Sequence, residues 1–204
     1  MGESAPVGDS AATWRGEHMA LVSAPPVPMP VNGSRCAPSL VAAIRRAVRQ
    51  RGDWQQTAQQ VAAELRQRLP GPQILTPGER TGDPACYQSH LLHAETDGSF
   101  SIVAMVWRPG QVTPIHDHVT WCVSGVLQGT EYEEIFALRP GGMALTEVAR
   151  NASGTGDVSG FAPPGDIHRV RNHGHDTAIS MHVYGADISR LGSSVRRIYD
   201  LPVS

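Results

Sequence analysis

The chain has 204 residues, which suits one compact domain with a short additional segment. Its 17 Lys and Arg against 19 Asp and Glu give a formal net charge of −2, so it offers no basic surface for nucleic acid. A hydrophobic content of 40% is sufficient for a buried core and excludes a wholly disordered chain. The 21 glycines and 16 prolines fall between short apolar runs, which is typical of a turn-rich β protein.

Location and partners follow from what the chain lacks. No apolar run approaches the roughly 20 residues that a membrane helix needs, and the N-terminus lacks the order of a secretory signal. The three cysteines, Cys36, Cys86 and Cys122, share no CxxC spacing, so we expect no disulfide framework. We therefore expect a cytoplasmic protein without membrane or nucleic-acid partners, and a monomer is the preferred state.

The N-terminal third divides into two parts. Residues 1–35 are rich in Gly, Ser, Pro and Ala and predict a flexible arm. Residues 36–83 predict a helical segment that packs on the rest of the domain. The first helix places apolar residues four apart on one face, namely Leu40, Ile44 and Val48. Asp53 is the expected N-cap of a second helix that runs to about Leu69, before Pro70.

From about residue 84 the hydrophobic period changes to two, which predicts strands. They are expected at residues 99–107, 123–127, 132–138, 143–148, 169–171 and 179–184, separated by glycine-containing turns. Short strands at regular spacing favour a sandwich or barrel, including jelly rolls. Residues 84–204 are therefore predicted to form one all-β domain.

Three histidines form the strongest chemical signal. His116 and His118 are two residues apart, so on a strand they face the same way and can share one metal ion. About fifty residues later, the turn at Pro163, Pro164 and Gly165 leads to His168. A pair of histidines with a third on a neighbouring strand predicts a metal site with three nitrogen ligands on one side.

These stretches resemble the two cupin motifs. Gly110, His116, His118 and Gly129 are in register with the first motif, while Cys122 stands where its acidic ligand is usual. The second motif is matched at four positions: Pro163, Gly165, His168 and Asn172. Its leading glycine is displaced by one position, to Gly156. The resemblance implies an all-β cupin core, a jelly-roll barrel, carrying the N-terminal α-helices.

A cupin with three histidines and no glutamate ligand resembles the thiol dioxygenases, the family of cysteine dioxygenase and 3-mercaptopropionate dioxygenase. Ser180, His182 and Tyr184 match that family's Ser-x-His-x-Tyr. The run from Tyr184 to Ile188, with the later Val195-Arg196-Arg197, is most similar to the bacterial 3-mercaptopropionate branch. The resemblance covers residues 84–199. It implies an Fe(II) enzyme that uses O2 to oxidise a small carboxylated thiol, with L-cysteine as the alternative substrate, to a sulfinic acid.

The resemblance also implies roles for individual residues. His116, His118 and His168 would hold the iron. Ser180, His182 and Tyr184 alternate on one strand and would form a relay that orients the phenol. In cysteine dioxygenases a cysteine at the position of Cys122 is joined by a thioether to the tyrosine, here Tyr184, whereas the bacterial branch usually has glycine. Both a crosslinked and a free Cys122 remain open.

The substrate carboxylate requires a cation. Cysteine dioxygenases carry an arginine where this chain has Ser89, which disfavours L-cysteine as the best substrate. In the mercaptopropionate branch a late arginine supplies the charge, and the match favours Arg197, with Arg196 and Arg190 as alternatives. A guanidinium can bind a carboxylate through two hydrogen bonds. Gln88 is a further candidate for a hydrogen bond to the substrate.

Three other functions are compatible with a metal-binding cupin. One is a non-enzymatic metal-binding domain, which has no need of the Ser180, His182 and Tyr184 pattern. Another is a copper site built from histidines and Cys122, for which the second motif provides no suitable methionine. The third is a Zn or Mn isomerase, which would normally retain the acidic ligand that Cys122 replaces.

Overall fold

The computed structural model describes residues 33–50 and 52–204. Most of the predicted arm, residues 1–32, lies outside the described residues. Three helices precede the strands: α1 (Pro38–Arg49), α2 (Trp54–Arg68) and α3 (Pro77–Thr81), with a 3-10 turn at Pro72–Ile74 before α3. As predicted, Asp53 is the N-cap of α2, and its carboxylate accepts a hydrogen bond of 2.7 Å from the backbone N–H of Gln56. None of the helices in the described part of the chain has the length and apolar character that crossing a membrane requires.

The rest of the described chain is almost entirely β-structure. Within residues 52–204 the strands are β1 (Gln88–Ala94), β2 (Ser101–Trp107), β3 (His116–His118), β4 (Cys122–Gln128), β5 (Thr130–Leu138), β6 (Leu145–Gly154), β7 (Val158–Phe161), β8 (His168–Arg171), β9 (Ala178–Tyr184) and β10 (Val195–Ile198). A single turn of helix, α4 (Ile188–Leu191), lies between β9 and β10. The predicted strand at 143–148 begins later and extends to Gly154, and β1, β7 and β10 were not predicted as separate strands.

The strands form two antiparallel sheets of five. The first has the order β1-β2-β9-β4-β7 and the second the order β10-β3-β8-β5-β6. Strands distant in sequence thus become neighbours, as in a jelly roll. The two sheets and the helices that precede them confirm the predicted all-β cupin core with N-terminal helices.

One side of the first sheet packs on the hydrophobic core, and its other side faces the second sheet. Ile179, Met181 and Val183 of β9 are fully buried against the helices, in the cluster that includes Ile44 of α1 and Leu65 of α2. Because side chains alternate along a strand, the residues between them face the second sheet. This alternation leaves the side of β9 opposite the helices free to line a site.

Candidate metal centre

The three predicted metal ligands come together between the two sheets. The ligand nitrogens of His116, His118 and His168 all lie within 4.8 Å of one another, and all three side chains are buried. β3 and β8 are antiparallel neighbours in which His116 pairs with His168. The strand pairing therefore brings together residues that are about fifty positions apart in the sequence.

Each of these histidines is oriented by a hydrogen bond at the Nδ1 atom. The three contacts are with oxygens that accept: Pro114 O at 2.9 Å for His116, Asp166 Oδ2 at 3.1 Å for His118, and Glu133 Oε1 at 2.6 Å for His168. An acceptor at Nδ1 places the proton there and leaves the lone pair on Nε2, the arrangement in which histidine binds a metal. The Nε2 atom of His168 is buried and has no hydrogen-bond partner among the described residues, so it fits a metal ion.

Burial favours this neutral form of His116 and His118. Burial lowers the pKa of His116 well below its usual value, and the neighbouring histidines lower it further. Burial also lowers the pKa of His118, although the hydrogen bond to Asp166 opposes this effect. Burial alone would raise the pKa of Asp166, but hydrogen bonds from the side chain and backbone of His118 keep it below the usual range. His116 and His118 are thus neutral imidazoles, and the Asp166 carboxylate beside His118 is ionised.

Ser180, His182 and Tyr184 form the predicted relay on β9. The hydroxyl of Ser180 lies 2.9 Å from Nε2 of His182, and the Tyr184 hydroxyl lies 3.5 Å from Nδ1 of the same ring. All three side chains are buried. His182 thus contacts both of its neighbours in the relay, as the alternation of the strand predicts.

Cys122 lies beside this relay and outside the metal group. Its Sγ atom is 3.8 Å from Nδ1 of His182, and its strand position pairs with Tyr184. Among the residues that the structure describes, the side chains that converge as metal ligands are the histidines, without Cys122. Burial raises the pKa of both Cys122 and Tyr184 well above their usual values, so both remain protonated near neutral pH. The geometry gives no support to a copper site with a Cys122 ligand.

The three metal-ligand histidines share one cavity of about 790 Å³ with His182 and Tyr184 of the relay. Its walls include apolar and aromatic side chains, among them Val103, Met105, Ile115, Phe161 and Ile188. A mostly apolar cavity with a few convergent polar groups is typical of a small-molecule site. The predicted metal ligands and two of the three relay residues, His182 and Tyr184, therefore open onto a space that can hold a substrate.

The candidate arginines differ in their freedom to bind an anion. Arg197 lines the cavity, its side chain is 58% exposed, and its guanidinium lies 3.6 Å from Asp117. Arg196 also lines the cavity, but it donates a hydrogen bond of 2.5 Å to the same carboxylate. Arg190 does not line the cavity and pairs with Asp187 at 3.0 Å. Arg197 is thus the least engaged of the three at the cavity.

The structure does not bring Gln88 to the cavity. Tyr87 and Ser89 line it, whereas Gln88, which lies between them in the chain, does not. Because residues alternate along β1, the side chain of Gln88 points to the opposite face. The prediction that Gln88 contacts the substrate therefore has no contact to support it.

Three acidic residues at the site were not assigned from the sequence: Glu131, Glu133 and Asp166. Glu131 and Glu133 are two apart on β5, and both line the cavity. Asp166 precedes His168 by two residues and contacts a different ligand, His118. The i, i+2 spacing of the two glutamates was a usable signal, whereas their partners on other strands could not be read from one chain.

Comparison with known proteins gives a family match and several structural similarities. The family model for cysteine dioxygenase type I matches residues 82–193, a range that includes all three metal-ligand histidines and the relay. Among solved structures, the chain is similar to the Cupin_2 domain of an XRE family transcriptional regulator from Enterobacter cloacae, with 16% identity over 48% of this chain and 94% of that chain and a TM-score of 0.37. A Cupin 2 conserved barrel domain protein from Salinispora arenicola shares 21% identity over 48% of this chain and 74% of that chain, with a TM-score of 0.38. A cupin superfamily protein from Desulfitobacterium hafniense shares 14% identity over 56% and 86%, with a TM-score of 0.41.

Proposed function

The chain belongs to the cysteine dioxygenase type I family, and we propose on this basis that it is an iron-dependent dioxygenase that oxidises a small carboxylated thiol to its sulfinic acid. The observation that carries the proposal is the shared cavity, in which three histidines grouped as metal ligands face the relay that ends at Tyr184. A domain that only binds a metal would not need a buried relay beside it. The overall reaction adds both atoms of O2 to the sulfur of the thiol, which supplies the four electrons.

The donor set fits a divalent iron ion. Three imidazole ligands without a carboxylate leave the full formal charge of the ion uncompensated, which favours binding of an anionic thiolate. His116, His118 and His168 would hold the ion, which would supply the redox chemistry that joins the thiol sulfur to O2. Glu133 and Asp166 hold two of the ligand rings in place, a contribution that in other metal sites is worth about 10–100-fold in metal affinity.

The relay and the apolar side chains that line the cavity provide the contacts for the substrate. Burial keeps Tyr184 as a neutral phenol, and its contact with His182 fixes the direction of the ring. The hydroxyl is then available to hydrogen-bond a substrate at the metal-facing side of the cavity. The apolar side chains of the walls are available to pack against the carbon chain of the substrate.

The preference for a carboxylated thiol depends on Arg197. It is the cavity-lining arginine of β10 whose guanidinium is not held in a short contact by Asp117, so it can turn towards a carboxylate. On β1 the corresponding position is the neutral Ser89, which removes the arginine that cysteine dioxygenases use there. We therefore infer that 3-mercaptopropionate is preferred, with L-cysteine as the alternative substrate.

The test is O2 consumption by protein loaded anaerobically with Fe(II), with 3-mercaptopropionate, L-cysteine and cysteamine assayed in parallel. We expect uptake that depends on the thiol, a product heavier by two oxygen atoms, and the highest kcat/KM for 3-mercaptopropionate. Zn(II)-loaded protein is the matched control, because it fills the same ligands without redox chemistry. Absence of uptake with all three thiols at verified iron occupancy would contradict the proposal.

A further inference from the structure

Glu131 is a buried carboxylate that the metal site does not use. It lies on β5, its side chain is 8% exposed, and it faces β9 across the cavity. Among the described residues it has no Lys or Arg partner within 4.0 Å, and its ionic neighbour is Nε2 of His182 at 3.7 Å. Because burying a carboxyl group is costly unless it is hydrogen-bonded, its position beside the relay requires an explanation.

The hydrogen bonds of Ser180 connect Glu131 to the relay. The indole N–H of Trp107 donates to the Ser180 hydroxyl at 3.2 Å. That hydroxyl donates in turn to Oε1 of Glu131 in a short contact. Its third neighbour is Nε2 of His182 at 2.9 Å. The Ser180 oxygen therefore has three partners in the buried space between the two sheets.

The direction of the third bond follows from counting protons. A hydroxyl has one proton and two lone pairs, an indole N–H can only donate, and an ionised carboxylate can only accept. The proton of Ser180 goes to Glu131, and one lone pair accepts from Trp107. The remaining lone pair can only accept a bond, so His182 must carry a proton on Nε2.

We propose that Glu131 is a positioning residue that fixes His182 as the Nε2-protonated tautomer, with the Nδ1 lone pair directed at the Tyr184 hydroxyl. The first sheet carries the relay. The second sheet supplies the Glu131 carboxylate, which sets the direction of the hydrogen bonds along the relay. Glu133, two residues further along the same face of β5, orients His168 of the metal site through a direct hydrogen bond at its Nδ1 atom. β5 thus orients one histidine of the relay, His182, and one metal-ligand histidine, His168.

The consequence for turnover rests on the proposed function. An incoming thiol must lose its proton before its sulfur can bind as a thiolate. The S–H proton passes to the oxygen of Tyr184 while the phenol proton passes to Nδ1 of His182, so that charge and atoms balance. The imidazolium that results lies 3.7 Å from the carboxylate of Glu131, which stabilises it.

The test is the protonation state of His182, measured by long-range 1H–15N correlation NMR on the Zn(II)-loaded protein, which is diamagnetic. The wild-type protein is expected to carry the proton on Nε2. In Glu131→Leu, the Ser180 proton loses its acceptor and turns to Nε2 of His182, so the histidine proton should move to Nδ1. In Glu131→Gln, the amide oxygen still accepts from Ser180, and the wild-type tautomer should persist.

Two results would overturn the inference: a wild-type His182 with a proton on Nδ1, or a Glu131→Leu variant with the wild-type tautomer. Glu134→Gln is the matched control for disturbance of β5, because Glu134 is also buried on that strand but is held by Arg169 and Arg171. That variant should leave the His182 tautomer unchanged. The wild-type spectrum alone tests the assignment if Glu131→Leu does not fold.

Kinetics separate this inference from the proposed function. In an active enzyme, Glu131→Leu should lower kcat at least about tenfold with little change in KM or in bound iron, because it alters proton transfer and touches no metal ligand. A wild-type kcat in that variant would contradict the role of Glu131. If the wild-type protein shows no thiol-dependent O2 uptake, the proposed function fails while the NMR result still decides the tautomer.

Discussion

Cys122 lies directly opposite Tyr184 in the antiparallel pairing of β4 and β9. Both side chains are buried and contact Nδ1 of His182, the sulfur at 3.8 Å and the phenol oxygen at 3.5 Å. Side chains at directly opposite positions of an antiparallel pair have Cβ atoms about 4.5–5.5 Å apart. The thiol and the phenol ring are therefore close enough for a covalent bond to form between them.

We predict that a thioether forms between Cys122 and Tyr184 when the iron-loaded protein turns over thiol in air. The sulfur loses its S–H proton and the ring loses a C–H proton as the C–S bond forms, and O2 accepts the two electrons and two protons. Intact-mass spectrometry should show a species lighter by two hydrogens. Cys122→Ala should show no such loss, and an unchanged wild-type mass would contradict the prediction.

The histidine ligands are tested by removing one of them. His168→Ala should lose bound iron and thiol-dependent O2 uptake together, because the two remaining nitrogens cannot hold the ion on three sides. His173→Ala is the matched control, since that histidine is exposed on the loop after β8. Metal content by elemental analysis and O2 uptake are the two measurements. Full iron occupancy and activity in His168→Ala would disprove the three-histidine assignment.

Those parts of the fold that depend on local sequence could be predicted. The i, i+4 spacing of Leu40 and Ile44 places them in the helix-side core, and the cap at Asp53 begins α2 as expected. Period-two alternation places His182 and Tyr184 on the cavity side of β9. Local periodicity determines which face a side chain occupies, and this was sufficient to identify the relay.

The contacts between sheets could not be predicted from one chain. Glu131 and Ser180 are 49 positions apart, and their contact depends on how the two sheets pack. Asp117 accepts hydrogen bonds from Arg196 and Tyr199 of the C-terminal segment, and the sequence did not indicate these partners. Such pairs depend on strand order, which hydrophobic periodicity does not specify.

Arg197 can be tested through the substrate carboxylate. Arg197→Ala should raise KM for 3-mercaptopropionate by about 10–100-fold, since hydrogen bonds to charged groups contribute about 1.5–3 kcal/mol. The KM for cysteamine, which has no carboxylate, should change little. Arg190→Ala is the matched control, because Arg190 lies outside the cavity lining. An unchanged KM for 3-mercaptopropionate in Arg197→Ala would place the carboxylate elsewhere.

The segment before α1 is joined to α3 by an ion pair that predicts a pH dependence of stability. The guanidinium of Arg35 donates two hydrogen bonds of 2.8 Å to Glu79, and its NH2 group also donates to Ile74 O at 2.9 Å. The hydrogen bond from Arg35 is the main cause that lowers the pKa of Glu79 from 4.5 to about 2. A carboxyl group with a lowered pKa in the folded state stabilises the protein above its unfolded pKa, and this contribution is lost as the pH falls towards 2.

We therefore expect Glu79→Gln to lower the free energy of unfolding at pH 7 by about 1.5–3 kcal/mol, the usual range for hydrogen bonds to a charged group. The difference from wild type should persist down to about pH 4.5 and shrink as the pH approaches 2, which urea unfolding at a series of pH values can measure. Glu64→Gln is the matched control, because Glu64 pairs with Arg68 one turn along α2 and such pairs contribute only about 0.2–0.5 kcal/mol. A Glu79→Gln difference that stayed constant between pH 7 and pH 2 would show that the ionised Glu79 carboxylate does not stabilise the fold.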